Sequence, residues 1–273
     1  MVVFDAVADA AMTQTLAEAL QSAALESIGA AFLLDLSSLR YGECRSYRNI
    51  YPASLIKMPI MAEAFHQFEA GVLQPDRSVV ISQANQTMTA EETPLKQSYV
   101  ATVAEMTELM ITRSDNVATN QLMDVLGRKA VTAYMHELGL PTFLLGRKLS
   151  GSDPLIEDPE AIGRNRFPPA EAGRLLALIA SDLIPGASAQ RGMLACCVDN
   201  DKLVPGLRKG DVFMHKTGQT STEDHDAGIL DTAEGRRYVV VLYTTPQPNA
   251  NESLTSHIDG QITEFMRALR AAL

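Results

Sequence analysis

The chain has 273 residues, of which 46% are hydrophobic and 21% charged. That balance supports a sizeable core in one large or two modest domains. The formal net charge of −10 excludes the basic face that binding to nucleic acid or to an anionic membrane surface requires. The apolar runs at Ala30–Leu34 and Val239–Tyr243 are too short to span a bilayer.

Taken from the N-terminus, the opening stretch MVVFDAVADA has no basic region and does not read as a signal peptide. The chain as written is expected in the cytoplasm, or in the periplasm or outside the cell if a leader has been removed. Residues 13–28 set Leu16, Leu20, Ala23, Ala24 and Ile28 on one face of an amphipathic helix. Ala31–Leu36 and Tyr41–Tyr47 read as two strands around a turn at Ser38–Tyr41. After Ser54 the pattern becomes helical, with helices predicted near 55–70, 102–113, 117–127, 129–138, 169–182 and 188–198. Residues 146–168 interrupt them, rich in proline and glycine and without an apolar period; a loop of that length in a compact domain is usually functional or mobile. Strands return at Val212–Thr217, Ala227–Asp231 and Arg237–Thr245, and Glu252–Leu273 forms a last helix with Asn251 as its N-cap.

This order predicts an α+β fold: a five-stranded antiparallel sheet, flanked by the terminal helices, with an all-helical insertion between its second and third strands. Residues 1–53 and 206–273 are expected to form the sheet lobe. Residues 54–205, including loop 146–168, form the helical lobe, with a site in the cleft between them. The three cysteines, Cys44, Cys196 and Cys197, imply no disulfide framework. The histidines are scattered, and Glu63 with His66 makes a single E-x-x-H, so neither a metal nor another cofactor is expected.

Three short motifs remain. Ser54-Leu-Ile-Lys57 opens the first helix of the insertion, Ser114-Asp115-Asn116 lies between two helices, and Lys216-Thr217-Gly218 lies on a strand. Each alone has a plain structural explanation: an N-capping serine, a polar inter-helix turn, an edge-strand lysine before a turn. Yet residues i and i+3 share a helix face, so the Lys57 amine reaches the Ser54 hydroxyl. A desolvated lysine near another cation loses basicity and becomes able to take a proton.

S-x-x-K, S-D-N and K-T-G, each once and in this order, resemble the signature set of class A β-lactamases and penicillin-binding proteins. The segment LMITRSDNVATNQLM and the order of elements are similar to that superfamily over nearly the whole chain. The resemblance implies an acyl-enzyme on Ser54, with Lys57, Ser114 and Lys216 as its catalytic partners. Asn116, Thr217, Gly218 and Gln219 would bind substrate, and the oxyanion would lie between the backbone N–H groups of Ser54 and Gln219. It implies a small-molecule substrate and a monomer.

The resemblance has one gap. The loop glutamate of class A enzymes, in E-x-x-L-N, activates the deacylating water, and no E-x-x-L-N exists here. Glu157, Asp158, Glu160 and Asp153 are the loop acids available, and His225 is a further polar residue near the strands. The leading expectation is therefore a β-lactamase-like serine hydrolase of a β-lactam, amide or ester. The alternatives are a D-alanyl peptidase or esterase of penicillin-binding type with slow β-lactam turnover, and a non-catalytic β-lactam sensor.

Overall fold

The computed structural model describes residues 5–89, 92–152, 154–245 and 255–273, with side chains of the last helix described from Ile258 onward. Asn251, Asp153 and the side chain of His257 lie outside the described residues. The elements run β1 (Val7–Ala8), α1 (Ala10–Ser22), β2 (Gly29–Asp35), β3 (Arg40–Cys44), α2 (Lys57–Glu69), β4 (Ser78–Val80), β5 (Val100–Thr102), α3 (Val103–Thr112), α4 (Asn116–Leu126), α5 (Arg128–Glu137), α6 (Pro169–Ala180), α7 (Ala187–Ala195), β6 (Val212–Gln219), β7 (Asp224–Asp231), β8 (Arg237–Thr244) and α8 (Thr255–Ala272).

The main sheet has the order β1-β3-β2-β8-β7-β6. Its last five strands are antiparallel to their neighbours. They are the strands expected from the sequence, and a sixth, β1, pairs in parallel with β3 through only two residues. Strands β4 and β5 form a separate two-stranded ribbon. Neither β1 nor that ribbon is visible in the sequence, because two or three residues cannot display a period. The turn between β2 and β3 falls at Leu36–Leu39, slightly earlier than expected, since Asp35 accepts the Ser37 N–H at 2.8 Å and starts it.

Alternation along the central strands divides the core. Ala30, Phe32 and Leu34 of β2 and Val239, Val241 and Tyr243 of β8 face the helical insertion. Ala31, Leu33, Val240 and Leu242 face α1 and α8. One apolar cluster runs without a break from the first face into α2, α3, α4 and α6. Helix α2 lies at the centre of the insertion, buried continuously from Lys57 to Ala64. Helix α3 starts with a capping box in which Thr102 and Glu105 satisfy each other's backbone N–H groups. Loop 146–168 is tied down: Asn165 accepts from the Gly146 and Arg147 N–H groups at 2.8 and 3.0 Å, and Leu144 bridges Arg166.

The segment before α2 is latched to the sheet by His225 on β7. Its Nδ1 accepts the Thr244 N–H at 3.1 Å, which leaves the proton on Nε2 to donate to the Tyr51 carbonyl at 2.8 Å. The ring stacks on Tyr243, with centroids 4.4 Å apart. His225 is fully buried, and burial lowers its pKa to about 4. An imidazole held neutral in the fold destabilises it wherever the unfolded chain takes up the proton. Stability is therefore lost as pH falls from about 6.5 towards 4. The neighbouring Asp224 carboxyl, raised to about 7 chiefly by burial, acts in the opposite sense, losing its contribution as pH rises. The test is thus a comparison of two chains. Urea unfolding from pH 7 to pH 4 should show His225→Gln losing less stability than the parent, by on the order of 3 kcal/mol. Parallel curves would refute a buried neutral His225.

Candidate active site

Ser54 belongs to a 3-10 turn, Ala53–Ile56, that leads directly into α2. A helix starting at Ser54 was expected; the tighter turn arises because Pro59 has no N–H to give the Leu55 carbonyl. In 3-10 geometry residues i and i+3 eclipse, which sets Lys57 over Ser54. Ala53 takes a φ of +48° and Ser114 one of +54°. Such conformations cost non-glycine residues energy and concentrate at functional sites.

Lys57 is fully buried. Its Nζ lies 2.8 Å from Ser54 Oγ, 2.9 Å from Ser114 Oγ, 2.8 Å from the Ser114 carbonyl and 2.8 Å from Asn116 Oδ1. Asn116 is oriented by its amide nitrogen, which donates to the Met88 carbonyl at 2.9 Å. Burial, and then the Lys216 charge, hold the Lys57 amine well below its ordinary pKa, against a weaker opposing pull from Asp115. A neutral amine has two N–H bonds and one lone pair. The Ser114 carbonyl and the Asn116 amide oxygen can only accept, so they take both N–H bonds. The lone pair is left for a hydroxyl, which is the arrangement a base for Ser54 needs.

Strand β6 forms the other wall. It ends the sheet, and Thr220 N–H donates to the Glu223 carbonyl across the hairpin to β7. Alternation along the ladder then turns the backbone N–H of Gln219 to the free edge, towards the Ser54 turn. Gly218 lets the two segments approach: a Cβ there would lie 3.1 Å from Ser54 N and 3.0 Å from the Pro52 carbonyl. Lys216 is fully buried, and its Nζ donates to the Thr217 carbonyl at 2.9 Å. Burial lowers its pKa, and Cys197, Asp199 and Asp226 partly restore it.

Ser54, Ser114, Asn116, Lys216, Thr217 and Gln219 line one cavity of about 640 Å³. The described loop acids, Glu157, Asp158 and Glu160, are elsewhere. Asp158 is gripped by Arg128 at 2.8 and 2.9 Å and by the Lys148 N–H at 2.7 Å. Burial opposes its charge, but those donors outweigh it and keep the carboxyl below its usual range. Glu160 meets the same Arg128 at 3.2 Å while largely exposed, and Glu157 is exposed. None of the three lines the cavity, and neither does His225, whose ring is spent on the Tyr51 latch. The loop contributes Leu149, Ser150, Gly151, Ser152 and Leu155 to the lining instead. Leu149 is held there by two hydrogen bonds with Asn120, at 2.8 and 2.9 Å. Asn120 and Leu149 were missed by sequence reasoning. The signal for Asn120 was present: it follows Asn116 by four residues and so shares its helix face. Leu149 carries no such mark. Asp199 is the carboxylate that lines the cavity among the described residues; it sits beside Lys202, 3.9 Å away, at the Lys216 end.

A sequence profile described as the beta-lactamase enzyme family matches residues 12–264. A β-lactamase of Bacteroides uniformis is 27% identical over 213 residues, which is 70% of this chain and 70% of that protein. The β-lactamase FAR-1 of Nocardia farcinica is 26% identical over 268 residues, 94% of this chain and 82% of its own. Among solved structures, PBP-A superposes with a TM-score of 0.81 at 22% identity, covering 98% of this chain and 97% of that one. A variant of the last common ancestor of Gram-negative bacteria class A β-lactamase does so with a TM-score of 0.77 at 24% identity, covering 96% and 98%. The profile match spans both strand blocks and all three motifs, and by it the chain belongs to the beta-lactamase enzyme family, as a serine hydrolase of the β-lactamase and penicillin-binding-protein fold.

Proposed function

We propose that the protein forms an acyl-enzyme on Ser54 and that it is of penicillin-binding type, slow to release β-lactam adducts. The observation that carries the first half is the set of four contacts around Lys57 Nζ. On this reading the site lies between a sheet lobe, residues 1–53 and 206–273, and a helical lobe, 54–205. Lys57, its basicity lowered by burial and by Lys216, takes the Ser54 proton as Oγ adds to the substrate carbonyl carbon. The oxyanion gathers between the N–H groups of Ser54 and Gln219, donors worth a few kcal/mol of barrier each. The proton passes from Lys57 through Ser114 to the leaving nitrogen or oxygen as its bond to carbon breaks. Lys216 and Thr217 hold a carboxylate on the leaving-group side, and Asn116 holds the amide of the acyl portion.

The second half rests on the loop. Hydrolysis of a stable acyl-enzyme needs a base beside the ester. Leu149 lines the cavity, while Glu157, Asp158 and Glu160 point into other surroundings. This favours a D-alanyl peptide or an ester as the natural substrate over a β-lactam. A mutant of PBP-A, one of the structural neighbours, has been solved as an acyl-enzyme complex with penicillin-G, which makes benzylpenicillin the first probe.

Intact-protein mass spectrometry with benzylpenicillin should show one adduct that outlasts the assay without continuing consumption of the drug. Ser54→Ala should give none, and Lys57→Ala should form it about a hundredfold or more slowly. Full labelling of Ser54→Ala would remove Ser54 as the nucleophile. Steady turnover by the parent chain would overturn the slow-release half and direct attention to Asp153 and Asp199.

A second variant probes the same half from the other side. Leu149→Glu places a carboxylate in the cavity on a backbone already fixed by Asn120. Its adduct should decay about tenfold or more faster than the parent's. An unchanged lifetime, with thermal unfolding also unchanged, would mean that the missing base is not what limits release.

A further inference from the structure

Arg113 lines the same cavity as Ser54 and Lys216, and its side chain is exposed there. Several arginines of this acidic chain are committed to acids: Arg40 to Asp9, Arg128 to Asp158, Arg191 to Asp182, Arg236 to Asp35 and Arg270 to Asp211. Arg113 has no hydrogen bond or ion pair from its guanidinium among the described residues. Its backbone, in contrast, is held firmly. The N–H groups of Arg113 and Asp115 both donate to the Leu109 carbonyl, at 3.1 and 3.2 Å, and the left-handed Ser114 between them closes the turn.

The charges of the two walls differ in kind. On the β6 wall, Lys216 is buried and is offset by Asp199 and Asp226. On the helical wall, Arg113 has no ion-pair partner among the described residues; it lies at the α3–α4 turn, which also carries Ser114 and Asn116. A guanidinium with five donors and no acid to satisfy it is suited to a carboxylate. In a protein of net charge −10, a cation in the cavity with no ion-pair partner among the described residues also works against the overall repulsion of an anionic ligand.

From this we infer that Arg113 is a second anion seat, selecting substrates whose acyl portion carries an acidic group in addition to the carboxylate on the leaving-group side. The inference rests on the acyl-enzyme reading above, because that reading puts the amide of the acyl portion at Asn116, three residues away on the same turn. The contact is solvent-exposed, so its effect is on selectivity and on encounter rather than on the chemical step.

Benzylpenicillin and carbenicillin make the test, since carbenicillin adds one carboxylate to the acyl side chain. Second-order acylation rates are measured by mass spectrometry at low ionic strength for the parent, Arg113→Ala, Arg113→Lys and Arg113→Glu. The ratio of the carbenicillin rate to the benzylpenicillin rate should fall about fivefold in Arg113→Ala. It should fall further in Arg113→Glu and stay between Ala and parent in Arg113→Lys. Added salt should lower the parent's ratio towards that of Arg113→Ala. A ratio that is the same in the parent and in Arg113→Glu, with both chains acylated, overturns the Arg113 seat and leaves the acyl-enzyme reading standing. Absence of any adduct in the parent with either drug overturns the acyl-enzyme reading and the seat with it.

Discussion

An ammonium group cannot be left in an apolar interior, and the site is organised around that constraint. Lys57 opens a helix that is buried from end to end of its first two turns. A charged lysine there faces a desolvation penalty of several kcal/mol, and the larger of the charge effects on it, from Lys216, adds to that penalty, with Asp115 opposing more weakly. The fold eases the conflict by lowering the basicity of the amine and surrounding it with oxygen. Ser54, Ser114 and Asn116 are the partners that let Lys57 be buried at all, and they are also the groups its amine can exchange protons with or be oriented by.

That requirement reaches outward through ordinary packing. The oxygen atoms come from two separate segments, and both are bent into positive φ at or beside the residue concerned, Ala53 and Ser114. Strain of this kind persists only where the surroundings fix it. Around Ala53 the fixing is done by His225, which binds Tyr51 from the sheet, and by Gly218, whose missing side chain lets β6 press on the turn. Around Ser114 it is done by Leu109, whose carbonyl accepts the N–H groups on either side of it, and by Asp115, which caps α4 through the Ala118 N–H at 2.9 Å. The reactive groups are few, and the residues that hold them are ordinary caps, latches and glycines.

The parts legible in the sequence were those with a period or a fixed spacing. The central strands β2 and β8 read clearly because their alternate residues feed two different cores. Ser54 and Lys57, and Ser114 and Asn116, read clearly because each pair is set by helix or turn geometry within a few residues. What was not legible depended on tertiary placement. The loop acids illustrate this best: Asp158 and Leu149 belong to the same loop, and nothing local says that the acid will meet Arg128 while the leucine comes to line the cavity. That choice is made by Asn120 and Asn165, buried polar residues that bond the loop backbone across long stretches of sequence. Arg113 was passed over for a related reason, since a single charge beside a motif looks like solvated surface until the structure places it in the cavity with no ion-pair partner among the described residues.

The placement of β6 at the margin of the sheet has a consequence for the protein's solubility. A terminal strand offers a row of unpaired backbone groups to any passing chain, and long uncovered edges promote aggregation. Here the margin nearest the cavity is crowded by the 3-10 turn of Ser54 lying against Gly218, and the Thr217 carbonyl is occupied by the amine of the preceding Lys216. The same few groups that shape the cavity thus deny that stretch of strand to a second copy. Substituting Lys216 or Gly218 would reshape the cavity and would also remove a guard against pairing between chains.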